Sequence, residues 1–207
     1  MSIWQRLVGQ PQAVHALQRA VADAHSDSST HGSAMSHAWL FTGPPGAGRS
    51  TAAVLFAASL VCTDSGCGRC EVCTEVLNDT HPDVFRFIPQ QVMITRDEAE
   101  AMIRESALMP SRGHYRVIIV EDADRLNDVS ANMLLKSIEE PHPRTVWLLC
   151  SPSSDDVLPT IRSRCRVLGL VTPPWRDVAG LLQSEGIDAA LAAYAARAAQ
   201  GHVGRAR

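Results

Sequence analysis

The chain has 207 residues, 45% of them apolar, and a formal net charge of −3. The length allows one full domain and part of another, while the mildly acidic balance lacks the basic footprint of a protein that binds nucleic acid on its own. No run of about 18 apolar residues could span a bilayer, and the N-terminus lacks the apolar segment of a signal peptide. We therefore expect a cytoplasmic protein without membrane contact, whose six cysteines favour metal binding over disulfides.

The first predicted helix opens at Pro11, because proline suits a first helical turn. Val14, Leu17 and Val21 recur at helical spacing and would share its apolar face. Residues 25–36 are rich in Ser, His, Thr and Gly, which predicts a flexible connection.

A glycine-rich segment, residues 43–50, follows the apolar run 38–41 and precedes a helical pattern at 51–58. In this context backbone N–H groups and a helix N-terminus can cradle phosphates. The spacing fits the G-x-x-x-x-G-K-[S/T] motif, except that Arg49 stands in the lysine position. The candidate phosphate-binding residues are Gly43, Pro44, Pro45, Gly46, Ala47, Gly48, Arg49, Ser50 and Thr51.

The arginine leaves the behaviour of this loop open. Lysine is a compact charge, whereas arginine is wider and planar, and the two are not interchangeable. Arg49 could pair with a phosphate, block the pocket or stay outside it. The sequence therefore predicts a phosphate-loop fold, leaves nucleotide binding undecided and disfavours hydrolysis.

Four cysteines fall close together, separated by four, two and two residues. Such a set can wrap around one tetrahedral zinc and leaves no open position for catalysis, so we predict a structural zinc module at about residues 62–82. Free thiols, a disulfide pair or an iron–sulfur cluster of ferredoxin-like spacing remain alternatives. The predicted ligands are Cys62, Cys67, Cys70 and Cys73, whereas Cys150 and Cys165 are expected to be ordinary core residues.

Strands and helices alternate along the second half of the chain. Thr95 is predicted to begin a helix, with Glu98 completing a capping box; its apolar side would hold Ala99, Met102, Ile103 and Leu108. The helix at 128–140 would bury Ala131, Leu134, Leu135 and Ile138. The other predicted elements are strands at 84–88, 117–120, 145–150 and 166–168, and helices at 175–184 and 188–200.

This alternation indicates an α/β fold with a parallel sheet, in which ligands bind at the carboxyl ends of the strands. Glu121 and Asp122 directly follow the buried run 117–120. We therefore expect these two carboxylates to converge with the glycine-rich loop.

The chain resembles the AAA+ subunits of the bacterial DNA polymerase III clamp loader, and within that family the delta-prime type. The string Asn-Met-Leu-Leu-Lys-Ser-Ile-Glu-Glu-Pro at 132–141 and the triplet Ser-Arg-Cys at 163–165 carry the resemblance, in family order with Gly9-Gln10, the loop and the four cysteines. The resemblance covers nearly the whole chain. It implies a RecA-like AAA+ P-loop domain at 1–171 with an inserted zinc module, a helical lid domain whose start is at 172–207, and a C-terminal collar domain. We expect the collar domain to be absent here, because the sequence stops within the lid.

The resemblance also implies a degenerate ATP site. The family's strand end carries Asp, which holds magnesium, and then Glu, which polarises the attacking water; here the order is reversed, as Glu121 and then Asp122. Ser151 matches the polar sensor of the terminal phosphate. Gly204 stands where the lid normally has a phosphate-sensing arginine, and Arg205 comes one residue late.

Arg164 of the Ser-Arg-Cys triplet is intact. In the family this arginine reaches into a neighbour's ATP site as an arginine finger. The resemblance thus implies a delta-prime-like subunit with little or no ATP hydrolysis of its own, which joins gamma/tau motor subunits and delta in loading the sliding clamp on primed DNA. Zinc is the expected cofactor, and ATP or ADP with magnesium stays open.

Two other functions remain. One is an ATP-hydrolysing, gamma/tau-like motor subunit, against which Arg49, the reversed carboxylates and Gly204 count. The other is a nucleic-acid-binding module built on the cysteines, which is disfavoured because a single basic residue, Arg69, faces the acidic Asp64, Glu71, Glu75 and Asp79.

Overall fold

The computed structural model describes residues 2–26 and 34–206, so most of the predicted connection at 25–36 lies outside the described residues. The described part forms a five-stranded parallel sheet in the order β2-β3-β4-β1-β5, which confirms the predicted α/β fold. The strands are β1 (Ala38–Thr42), β2 (Val84–Phe87), β3 (Arg116–Val120), β4 (Thr145–Ser151) and β5 (Arg166–Gly169).

Helices connect these strands and cover both faces of the sheet. Among the described residues, none of the helices is both long and apolar enough to cross a bilayer. They are α1 (Pro11–His25), α2 (Arg49–Val61), α3 (Glu71–Leu77), α4 (Arg96–Ser106), α5 (Asp128–Glu139), α6 (Pro159–Arg162), α7 (Trp175–Ser184), α8 (Ala189–Ala198) and α9 (Val203–Ala206).

The three central strands β1, β3 and β4 are buried at every position, as their continuous apolar sequences predict. Successive side chains alternate between the two faces. On β1, Trp39 and Phe41 join the core cluster that contains α1 and α2, whereas Ala38 and Leu40 join the cluster that contains α4 and α5. The sheet therefore lies between two helical layers, and only its ends are open to a ligand.

The predicted capping box of α4 is present: Thr95 Oγ1 accepts the Glu98 N–H, and the Glu98 carboxylate accepts the Thr95 N–H. The prediction that Leu108 lies on the apolar side of this helix was wrong. The helix ends at Ser106 and Leu108 is 51% exposed. Pro110 explains the early end, because proline disfavours a helical conformation in the residue before it.

Two further core predictions hold only in part. Cys150 is buried within β4 as predicted, but Cys165 is half-buried in the turn between α6 and β5. Ala131, Leu134 and Ile138 of α5 are fully buried, while Leu135 is partly exposed because it lies at the margin of the apolar face.

The last three helices have an apolar cluster of their own. Val178 and Leu182 of α7 pack against Ala192 and Ala196 of α8. Helix α7 has the predicted bounds, and α8 is slightly shorter than the predicted 188–200. A separate apolar cluster is expected if these helices form a distinct lid domain. The domain boundary between residues 171 and 172 stays a prediction.

Both edge strands are short and carry an arginine that is engaged with the protein itself. On β5, the Arg166 guanidinium lies 4.9 Å from the centre of the Trp39 ring and donates a hydrogen bond to the Ala34 carbonyl. On β2, Arg86 forms ion pairs with Asp79 and Glu121. The β2 arginine is the one that reaches the candidate site.

Candidate nucleotide and metal sites

The glycine-rich loop joins the end of β1 to the start of α2, as a phosphate-binding loop requires. Gly46 and Gly48 have φ angles of 85° and 92°, a region that side chains disfavour. Gln10 braces the loop from outside, because its Nε2 donates to the Ala47 carbonyl at 3.2 Å and also to the Val171 carbonyl. The N-terminus, the loop and the segment before α7 are thereby tied together.

Arg49 is folded back onto its own loop. Its Nη1 donates a 2.9 Å hydrogen bond to the Gly43 carbonyl. The sequence left open whether Arg49 pairs with a phosphate, blocks the pocket or stays outside it. In the structure its guanidinium is held by the loop backbone. A phosphate that recruited Arg49 would have to compete with that hydrogen bond.

Ser50, Glu121 and Arg86 form a continuous set of polar contacts. The Ser50 hydroxyl donates to Glu121 Oε2. Glu121 Oε1 accepts a hydrogen bond from Arg86 Nε at 3.0 Å and lies 2.9 Å from Arg86 Nη2 in the same ion pair. Only 10% of the Glu121 side chain is exposed. The structure thus brings Glu121 to the loop, as predicted, but with both of its carboxylate oxygens already bonded.

Asp122 lies differently from its neighbour. Its φ of 48° is in the left-handed region, and its carboxylate pairs with Arg125 Nη2 at 3.0 Å. Two residues on, Asp124 Oδ1 is buried without a hydrogen-bond partner, and burial raises the pKa of this carboxyl. Asp122 is therefore held by its own turn and does not share the Ser50 contact.

Ser151, the predicted phosphate sensor, is also engaged locally. It is fully buried at the end of β4, and its hydroxyl donates to the Ser153 carbonyl at 2.8 Å. The neighbouring Pro152 carbonyl accepts the Gly43 N–H at 3.1 Å. The end of β4 thus supports the loop, but the sensor hydroxyl stabilises its own turn.

A cleft of about 240 Å³ opens beside the loop. Its size is just below the ~300–1,000 Å³ usual for small-molecule sites. Arg86 faces this cleft together with Gly48, Ser50 and Thr51, and the N-terminal residues Leu7 and Val8 form another wall. The cleft therefore lies where the glycine-rich loop, the start of α2 and the N-terminal residues meet.

The C-terminal segment touches the loop through His202. A Cβ atom added to Gly46 would lie 2.4 Å from His202 Cγ, so the imidazole packs directly on the glycine. Gly204 and Arg205, the two positions compared with a phosphate-sensing arginine, are both exposed. The lid-side group that packs on Gly46 is thus a histidine, which sequence reasoning missed because tertiary packing brings it there.

Arg164 lies in the turn between α6 and the edge strand β5. Its Nη1 donates to the Thr160 carbonyl at 2.8 Å, and its Nε is 3.1 Å from Glu139 Oε2, an ion pair rather than an aligned hydrogen bond. The side chain is 32% exposed. The arginine is thus partly open to solvent, while contacts with Thr160, Ser163 and Glu139 fix its direction.

The four cysteines of the predicted zinc module come together at one point. Their Sγ atoms all lie within 4.8 Å of one another, and those of Cys62 and Cys70 are 3.7 Å apart. Four sulfurs placed about 2.3 Å from one tetrahedral zinc would be separated by about 3.8 Å. All four thiols are free of disulfides. The set therefore fits a single metal ion.

The surroundings of the cysteines favour thiolate ligands unequally. Backbone N–H groups of Arg69 and Cys70 point at Cys67 Sγ and lower the pKa of this thiol to about 7. Burial raises the pKa values of Cys70 and Cys73. The helix α3, which the sequence did not predict, begins at this cluster and presents the last ligand.

Arg86 is the second group that sequence reasoning missed. The alternating pattern of β2 predicts only that Arg86 and Val84 share a face. The contact with Glu121 depends on the parallel register of β2 and β3, in which Arg86 lies opposite Ile119. The signal available in the sequence was an arginine on a predicted strand that could pair with the strand ending at Glu121.

The sheet order, the loop between β1 and α2 and the carboxylate at the end of β3 define a P-loop domain of the RecA-like, AAA+ type. Solved structures agree on the fold. The RuvB Holliday junction branch migration motor of Thermotoga maritima matches with a TM-score of 0.65 at 19% identity over 96% of this chain and 59% of that one. A DNA polymerase III gamma subunit-related protein from the same organism matches with a TM-score of 0.59 at 20% identity over 89% and 57%.

Sequence comparison identifies the family. A family model described as "DNA polymerase III, delta subunit" matches residues 10–174, and the chain belongs to this family. Curated relatives named DNA polymerase III subunit delta' are 37% identical in Pseudomonas aeruginosa, over 62% of this chain and 41% of the relative, and 34% identical in Bacillus subtilis, over 65% and 42%. The predicted likeness to the clamp-loader delta-prime type is confirmed. The chain spans about two fifths of the length of these relatives.

Proposed function

We propose that this chain acts as a delta-prime-like subunit of a bacterial clamp loader, hydrolyses little or no ATP itself, and completes a neighbouring subunit's ATP site with Arg164. Its partners would be gamma/tau motor subunits and a delta subunit. The assembled complex would load a sliding clamp on primed DNA. The family match supports this assignment, since the named relatives are DNA polymerase III subunits.

One observation carries the proposal: the polar groups of the chain's own site are bonded to one another. Arg49 bonds to the Gly43 carbonyl, and Ser50 and Arg86 occupy the Glu121 carboxylate. Catalysis of phosphoryl transfer depends on groups held ready for the phosphates and the attacking water. A site whose groups are engaged in this way suits a subunit that stays fixed while others turn over.

Arg164 is suited to act on another chain. Its contacts with Thr160 and Glu139 orient the side chain without burying it. An arginine finger contributes on the order of 10³–10⁵ in rate at the site it completes. The ion pair with Glu139 opposes movement of the side chain only weakly, because a partly exposed pair of this kind contributes only about 0–1 kcal/mol.

The test is Arg164→Ala in a clamp loader reassembled from full-length subunits. We expect ATP hydrolysis at the one site that this subunit completes to be lost, and clamp loading to fall, with assembly unchanged. Arg162→Ala is the matched control, since Arg162 lies two residues away, is similarly exposed and pairs with Asp155 of the same chain. Equal activity of the two variants would contradict the finger role.

The motor alternative retains one supporting observation, the intact loop geometry at Gly46 and Gly48. Phosphate release by the purified chain, measured with and without Glu121→Gln, decides between the two functions. We expect no release above the background of the variant. Turnover that disappears in the variant would establish a motor.

We further propose that the cysteine cluster holds one structural zinc ion. Its support is the match between the sulfur separations and a tetrahedral site. Metal analysis should find about one zinc per chain, and Cys70→Ser should lose it. A chain that carries iron and absorbs visible light would indicate an iron–sulfur cluster, and a metal-free chain of unchanged stability would indicate free thiols.

A further inference from the structure

We propose that the Arg86 guanidinium takes the place of the divalent cation at this phosphate-binding loop, so that a nucleotide in the cleft is held without magnesium. This inference rests on the proposed function in assigning the cleft to a nucleotide. It concerns a positioning residue that neither the loop motif nor the family match identifies.

The carboxylate that would hold magnesium is already bonded to other protein groups. In P-loop NTPases the ion is held by the loop Ser/Thr and by the carboxylate at the strand end, which are Ser50 and Glu121 here. The Ser50 hydroxyl donates to one Glu121 oxygen. The other oxygen accepts a hydrogen bond from Arg86 Nε at 3.0 Å and lies 2.9 Å from Arg86 Nη2. Magnesium needs nearly ideal octahedral geometry with oxygens at about 2.0–2.1 Å. With Ser50 and Arg86 bonded to its two oxygens, Glu121 does not offer magnesium a free carboxylate.

A second carboxylate fixes Arg86 from the opposite side. Arg86 Nη1 contacts both oxygens of Asp79, at 3.2 and 3.0 Å. The guanidinium therefore lies between two carboxylates and is 25% exposed. Because arginine stays charged at all relevant pH values, the site carries a permanent cation.

The guanidinium lies at the cleft beside the loop. Arg86 faces the same cleft as Gly48, Ser50 and Thr51, so a terminal phosphate cradled by the loop meets the guanidinium. Arginine is well suited to bind phosphate oxygens directly. A magnesium ion would have to approach this charge and displace it.

The exchange of Asp for Glu at the strand end gives a physical reason for the arrangement. The longer side chain of Glu121 reaches sideways to β2, where Arg86 lies in register with the preceding residues of β3. The Ser50 hydroxyl bond alone can open easily when a ligand arrives. A largely buried arginine–carboxylate pair that a third residue, Asp79, also holds is much harder to open.

The experiment measures the metal directly, with Mn²⁺ as a paramagnetic substitute for magnesium. The full chain is first saturated with zinc, and free Mn²⁺ is then followed by electron paramagnetic resonance. We expect the wild-type chain to show no binding that Glu121→Gln removes. Arg86→Gln should bind Mn²⁺ at least about tenfold more tightly, since one positive charge beside the carboxylate is removed.

Two variants serve as controls. Arg86→Lys keeps the charge and should resemble wild type. Arg125→Gln removes a comparable arginine from the adjacent carboxylate Asp122 and should leave Mn²⁺ affinity unchanged. Wild-type binding that Glu121→Gln abolishes, or no gain in folded Arg86→Gln, would overturn the proposal. If Arg86→Gln does not fold, Mn²⁺ binding is compared among the wild-type chain, Glu121→Gln and Arg86→Lys. Binding by Arg86→Lys that depends on Glu121 would then overturn the proposal.

A fluorescent ADP analogue tests the nucleotide itself. In the wild-type chain, its affinity should differ by no more than about twofold between magnesium and EDTA, whereas Arg86→Gln should require the metal. A large magnesium dependence in wild type would overturn the inference. No binding under either condition would refute the assignment of the cleft to nucleotide, and the Mn²⁺ titration would still decide whether Arg86 excludes the metal.

Discussion

At the scale of single residues, the candidate site differs from a working phosphate loop because its polar side chains form hydrogen bonds and ion pairs with other groups of the protein. Arg49 is the clearest case, because it replaces a lysine that would project into the cleft and instead bonds to Gly43. Glu121 and Asp122 are likewise satisfied by Arg86 and Arg125. These hydrogen bonds and ion pairs must break before Arg49, Glu121 and Asp122 can contact a nucleotide or its magnesium ion as the corresponding groups of a working phosphate loop do.

Arg49→Lys should therefore tighten nucleotide binding without restoring hydrolysis. A lysine cannot reproduce the planar contact with the Gly43 carbonyl and is freer to reach a phosphate. We expect affinity for a fluorescent nucleotide to rise about tenfold, or about 1.4 kcal/mol, while phosphate release stays at background. Arg96→Lys on the exposed face of α4 is the control. Turnover in Arg49→Lys would show that the arginine alone disables the site.

Asp83 has a structural role. Its buried carboxylate accepts hydrogen bonds from the N–H groups of Ser111, Arg112 and Gly113, at 2.6–2.7 Å, and from the Ser111 hydroxyl at 2.8 Å. Burial alone would raise the pKa of Asp83, but these bonds outweigh it and lower the pKa below its ordinary value of 3.8. The ionised carboxylate thus fixes the loop before β3 to the start of β2.

The stability that Asp83 provides should depend on pH. Because its pKa is lower in the folded chain than in the unfolded chain, the contribution is complete above about pH 4 and is lost as the pH falls through the folded value. Asp83→Asn should lower the free energy of unfolding at pH 7 by about 2–4 kcal/mol. Urea titrations between pH 3 and 7 check this, and the difference between the two proteins should narrow on the acid side. A pH-independent difference would contradict the account.

At the scale of elements, the strands and helices with clear periodicity were predictable. The continuous apolar runs predicted β3 and β4, and the capping residues predicted α4. Helix α3 was missed because its seven residues lie inside the cysteine segment, where thiol ligands rather than apolar periodicity determine the conformation. The contacts of Arg86 were missed because a strand pattern assigns faces, whereas partners depend on register.

Helix α2 and the cysteine segment meet the N-terminus at Gly66, whose φ is 90°. A Cβ there would lie 2.2 Å from Ser59 Oγ and 2.9 Å from Ile3 Cγ2. The Ile3 N–H also donates to the Gly66 carbonyl at 3.2 Å. A side chain at this position would therefore strain the backbone and displace the N-terminal turn.

Gly66→Ala should destabilise the chain by about 3 kcal/mol or more, as left-handed strain and overpacking add. Gly186→Ala is a matched control: its φ is 94°, but nothing lies within 4 Å of an added Cβ. That variant should lose only about 1–2 kcal/mol, from the backbone alone. Thermal melts and zinc content measure both. Equal losses would show that the close contact with Ser59 is relieved without cost.

At the scale of the whole molecule, the C-terminal helices and the sheet domain meet at the phosphate loop. His202 packs on Gly46, and Gln10 fixes the chain just before α7 through Val171. The loop is thus in contact with both ends of the described chain. A change in the loop conformation would therefore alter the packing of His202 and α9, and a movement of α9 would remove the imidazole from Gly46.

His202→Ala should loosen this junction without unfolding either part, because the apolar cluster of α7 and α8 does not include the histidine. We expect faster amide hydrogen exchange in residues 171–174 and 200–206. Tyr194→Ala, on the exposed side of α8, is the control and should leave exchange unchanged. If exchange in these segments is the same in both variants, the imidazole does not hold the two parts together.

The edge strand β5 has a consequence for assembly. It has four residues, and its Arg166 is held over Trp39, so its outer edge offers little backbone for another strand to extend. Under the proposed function, a neighbour that receives Arg164 would meet this side through side chains and not through a shared sheet. Such a junction can separate and rejoin without the loss of any backbone hydrogen bond between two chains.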